Sequence, residues 1–83
     1  MSCNNTPTPL GVNSTTILPG ASTVDNFLAV TAGTLTLTNS AGVVVLNAFP
    51  VAAGSWTDLD FRLGPSFTVT LAGGASGTLC VSN

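Results

Sequence analysis

Eighty-three residues allow one domain with one small core. Charged side chains make up 5% of the chain, against roughly 25% in an ordinary soluble domain. With Arg62 as the only cation and a net charge of −2, direct nucleic-acid binding is not expected, and no apolar run approaches the ~18 residues of a transmembrane helix.

The opening "MSCNNTPTP" has no basic or apolar region of the signal-peptide kind, and synthesis in a cytoplasm is the expectation. Residues 1–15 read as an extended N-terminal arm, because Pro7 and Pro9 fix their own φ and push their predecessors to extended conformations. Residues 16–83 read as a single β domain. Thr15–Leu18 is a short strand, and Pro19-Gly20 predicts a type II turn. Asn26–Thr31 is the next strand. Thr34–Thr38 alternates strictly, with Leu35 and Leu37 on one face. "NSAG" (39–42) predicts a hairpin loop leading to "VVVLNAF" (43–49). That run is apolar on both faces, which predicts a central, covered strand.

Ser55–Leu63 alternates again, with Leu59, Phe61 and Leu63 inward and Trp56, Asp58, Asp60 and Arg62 outward. Ser66–Leu71 points Phe67, Val69 and Leu71 to the core, and Thr78–Ser82 closes the domain. Glycines at 20, 33, 42, 54, 64 and 73 supply turns at sandwich-like spacing. The expected fold is all-β: a compact antiparallel β-sandwich of six or seven strands with jelly-roll-like or Greek-key connections, or alternatively a small β-barrel. Strand edges without lysine predict that neighbouring subunits cover them.

The two cysteines are Cys3 and Cys80. A bridge would tie the two ends together and contribute about 2–4 kcal/mol. Cytoplasmic synthesis favours two reduced thiols, with Cys80 a small core residue. Two cysteines without histidine make no zinc site.

"WTDLDFR" (56–62) holds three of the four charges and the only tryptophan. Asp58 and Asp60, at i and i+2 on a regular strand, would stand roughly 6–7 Å apart. That spacing overlaps the separation used in glycoside hydrolysis and resembles half of a cation site. Arg62 on the same face would lower a carboxyl pKa where catalysis needs one raised, and calcium needs more oxygens than lie nearby. Trp56 without Tyr or His makes a poor sugar platform; with Arg62 it fits a protein contact. "GGASG" lacks the lysine and helix of a phosphate loop. "NNT" (4–6) and "NST" (13–15) match the glycosylation pattern but follow no signal peptide. Nucleophilic catalysis lacks a base other than Asp, since histidine and lysine are absent. The expectation is no enzyme, no cofactor and no metal. Trp56, Asp58, Asp60 and Arg62, with Pro7 and Pro9 of the arm, are the expected protein contacts.

Residues 32–81, "AGTLTLTNSAGVVVLNAFPVAAGSWTDLDFRLGPSFTVTLAGGASGTLCV", resemble small virion proteins of tailed bacteriophages. The shared cadence is a Thr-alternating strand, a Gly turn, a P-V-x-A-G-x-W run and a closing G-G-A-S-G-T-L hairpin. The resemblance implies a capsid decoration or cement protein on the outer shell. Its partners would be the major capsid protein and copies of itself, as a homotrimer, with no membrane or direct nucleic-acid contact. A tail or head–tail component is the alternative within a virion. A small β-sandwich binding module that takes a glycan or cation on the 56–62 face is the alternative outside one.

Overall fold

The computed structural model describes residues 6–20 and 22–82. Eight antiparallel strands are found among them: β1 (Thr6–Leu10), β2 (Thr15–Leu18), β3 (Thr23–Thr31), β4 (Gly33–Thr38), β5 (Val44–Val51), β6 (Trp56–Arg62), β7 (Phe67–Ala72) and β8 (Ser76–Ser82). They form two four-stranded sheets, ordered β1-β8-β3-β6 and β2-β7-β4-β5. The all-β, sandwich-like expectation holds, with eight strands in place of six or seven.

The pairing has a simple rule. β1 pairs with β8, β2 with β7, β3 with β6 and β4 with β5. The chain is thus one long hairpin, folded about the 39–43 turn, whose paired segments alternate between the sheets. Additional pairings, β3 with β8 and β4 with β7, complete each sheet. Every connection that changes sheet is short: 11–14, 19–22, 32, 52–55, 63–66 and 73–75. Short links cannot cross a sheet's width, so the sheets stack with β1 over β2, β8 over β7, β3 over β4, and β6 over β5.

The core lies between the sheets. Val24, Phe27, Ala29, Leu79 and Val81 face it from one side; Leu35, Leu37, Phe67, Val69 and Leu71 face it from the other. The alternating residues expected inward from β4 and β7 are therefore where the pattern puts them, and Leu59, Phe61 and Leu63 also pack against this cluster. Gly77 on β8 is required by close approach: a Cβ there would run into the Leu28 carbonyl oxygen and the Phe27 ring. At the sheet-folding turn, the Asn39 side-chain oxygen accepts hydrogen bonds from the amides of Ala41 and Val43, each 3.0 Å. Gly42 supplies positive φ in the same turn.

Several expectations are corrected. Residues 6–10, expected in the arm, are a strand in register with β8, and Leu10 is buried. The backbone hydrogen bonds of a sheet recruit them despite two prolines, because an edge strand tolerates proline when the missing N–H faces away from its neighbour. The i, i+2 spacing of Pro7 and Pro9 puts both ring nitrogens on that free side. The arm's first residues, 1–5, lie outside the described residues. Gly20 does not take positive φ, so the Pro19-Gly20 turn is not type II. Residues 43–49 do not form a central strand. β5 is the edge of its sheet, with Val43, Val44, Val45 and Phe49 exposed by 57, 50, 38 and 38%. Two-sided apolarity there reflects exposure on both faces rather than cover. Finally, Cys80 is disulfide-bonded, against the expectation of free thiols; the chain's other cysteine, Cys3, lies outside the described residues.

Candidate contact surface

Cross-strand partners share a face, so the registers map the outer side of the β1-β8-β3-β6 sheet directly. One row runs Pro7, Cys80, Asn26, Asp58. The next runs Pro9, Thr78, Leu28, Trp56. A third places Ser82, Thr23 and Arg62 together. Five of the six expected contact residues therefore lie on one face. Trp56, Asp58 and Arg62 stand on one edge strand and Pro7 and Pro9 on the other, three strand spacings or roughly 14 Å away. Trp56 is half-buried beside its partner Leu28, while Asp58, Asp60 and Arg62 are exposed.

Asp60 departs from the regular row. Between Val24 and Asn26 the register with β6 slips, so that two residues, Leu59 and Asp60, oppose Asp25 alone. Asp60 takes a left-handed backbone with φ 58, a conformation Asp tolerates better than most residues. This is a β-bulge, and it breaks the strand geometry on which a 6–7 Å spacing of Asp58 and Asp60 depends. Among the described residues, no group of three or more His, Cys, Asp or Glu side chains is placed to hold a metal ion.

Two residues of this outer face are buried: Cys80 and Asn26, 1 and 7% exposed. Neither belongs to the cluster between the sheets. The Asn26 side-chain oxygen has no hydrogen-bond partner. No pattern in "TVDNFLAVT" marks Asn26 as buried, because the extra residue that β3 carries against β8 is itself invisible in the sequence.

The surface that the sequence did not bring forward is the flank formed by β5 and β6. Leu46, Leu59 and Phe61 pack against the core there yet stay only partly buried. Phe49, on the same face as Leu35 and Leu46, continues the apolar strip into solvent, while Val44, the partner of Thr38, is exposed on the sheet's outer face. Pro50 at the end of β5 was the available signal, since proline within a strand marks an edge. β5 also carries two irregularities against β4, and Ala48 in one of them has φ 50. Bulges of this kind blunt an edge against backbone pairing.

Among the described residues no helix is long and apolar enough to cross a membrane. The chain matches no family model, no curated protein and no solved structure.

Proposed function

We propose that this chain is a structural virion protein, a decoration or cement subunit that binds the outer surface of a phage capsid and ties neighbouring capsomers together. The observation that carries this reading is the surface: large apolar side chains at Val12, Ile17, Val30, Val43, Val44 and Phe49 stand exposed on a molecule with four charged residues. Such a surface loses little on desolvation, because charged groups, which are depleted at interface cores, are almost absent. The resemblance of residues 32–81 to small phage virion proteins points the same way. In this reading the partners are the major capsid protein and further copies of the chain, and no catalysis is involved.

We also propose that the sandwich is a jelly roll. The nested pairing of β1 with β8, β2 with β7, β3 with β6 and β4 with β5 supports it, since wrapping one long hairpin into two sheets produces that order. The fold serves many functions, so it adds architecture and not chemistry to the proposal. The disulfide at Cys80 is compatible with the outer face of a particle, which meets oxidising surroundings after leaving the cell.

Mixing the purified protein with undecorated capsids tests the proposal. Co-sedimentation with the shells and a rise in their resistance to heat or chelator are expected. No association with any virion part would overturn it.

A further inference from the structure

We propose that the β5–β6 flank is a two-fold interface at which two copies of this chain meet, with the symmetry axis close to Phe61. The inference is independent of the decoration reading. Both flanks of the sandwich leave apolar side chains open, Leu18 and Ile17 on β2 beside the buried Leu10 on the β1–β2 side, but only the β5–β6 flank joins such a strip to charged residues. On the β5–β6 side Leu46, Leu59 and Phe61 reach the core without being covered, and Phe49, which shares the face of Leu35, stands outside them. An apolar strip of this kind is worth burying, and copies of a chain with so little charge do not repel one another strongly.

The charges on β6 select the occupant. Asp58, Asp60 and Arg62, three of the four charged residues, are exposed along this one edge strand. Read along the strand they are acid, acid, base. A foreign partner would have to bring a cation to the first two and an anion to the third. A second copy running antiparallel brings a cation to Asp60 and an anion to Arg62, leaving Asp58 in solvent. With Phe61 on the axis, Asp60 of each copy faces Arg62 of the other, giving two reciprocal pairs. That self-complementarity is what an isologous contact requires. Exposed pairs add little affinity, so their part is to set register and exclude other partners, while the apolar strip supplies the binding.

The bulges define the kind of contact. Breaks in β6 at Leu59–Asp60 and in β5 around Ala48 oppose a continuous backbone ladder between copies. The two flanks therefore meet through side chains, and the contact closes at two copies rather than extending into a growing sheet.

Sedimentation equilibrium over a range of protein concentrations tests this. The wild-type chain of 8.2 kDa should approach a mass of about 16 kDa, twice the monomer. Arg62→Asp, Asp60→Arg and Phe49→Ser should each weaken association at least tenfold. An equimolar mixture of Arg62→Asp and Asp60→Arg should regain a dimer, visible by native mass spectrometry as the mixed species. Should Asp60→Arg not fold, given the left-handed backbone at that position, Asp60→Asn keeps that backbone and removes the charge, and it too should weaken association. Thermal melts confirm that the variants compared are folded. A wild-type chain that stays monomeric, a trimer, or charge variants that associate like wild type would each overturn the proposal.

Discussion

At the scale of single residues, the fold depends on positions where a side chain has no room. Gly77 is the sharpest of these, because an added Cβ would run into the Leu28 carbonyl and the Phe27 ring. Gly77→Ala forces β8 away from β3 and should cost about 1–3 kcal/mol, as overpacking does. In a domain this small that lowers the melting temperature by roughly 5–20 °C. Gly11→Ala is the control: nothing stands within 4 Å of the added methyl, and the backbone there is not left-handed. Its melting temperature should remain unchanged or rise slightly, since alanine restricts the unfolded chain. Equal losses in the two variants would show that close packing at β3 and β8 is not the reason for glycine at 77.

At the scale of strands, depth in the sandwich decides what a side chain contributes. Phe27 on central β3 is 0% exposed, whereas Phe61 on edge strand β6 is half-buried. Phe27→Ala should cost about 3–5 kcal/mol, the range for a fully buried aromatic, and Phe61→Ala roughly half of that. Chemical denaturation at low protein concentration, where association does not contribute, measures both. A larger loss at Phe61 would mean that β6 is covered in solution even at high dilution. The same distinction explains which strands could be read from the chain. β4, β7 and most of β6 have one wet and one dry face, so alternation marks both the strand and its inward residues. β5, at the edge of its sheet, exposes apolar residues on both faces even though Leu46 and Val51 reach the core, and alternation cannot tell this from a strand with two dry faces. β1 carries two prolines and little hydrophobic pattern; it is a strand because β8 offers a ladder, and that partner lies at the other end of the sequence. The contact face was legible on β6, where charge and tryptophan concentrate. Its continuation across Asn26 and Cys80 was not, because register across bulged strands is a tertiary property.

At the scale of the whole molecule, the nested pairing makes the two ends of the fold neighbours. Thr6 begins β1 opposite Val81 near the end of β8, and Ser82 accepts a hydrogen bond from the Ser22 amide at 3.0 Å. A circular permutant with the native ends joined and new ends between Ser40 and Ala41 should therefore fold with a cooperative melt, since those two residues are exposed and their turn lies outside the core. Opening the chain between Gly74 and Ala75 should not be tolerated. Ala75 is fully buried, and the Gly74 amide donates to the Asn13 side chain at 2.8 Å while its carbonyl accepts from the Thr31 hydroxyl at 2.6 Å. Circular dichroism melts of the two permutants distinguish these outcomes. The adjacency of the ends also sets how the molecule bears load. Strands pulled apart from one shared end open a rung at a time, each hydrogen bond meeting the force alone. Cys80 stands opposite Pro7, on the second rung from that end, and its bond is covalent. The covalent bond at Cys80 thus sits where such opening would begin, at the margin of the fold.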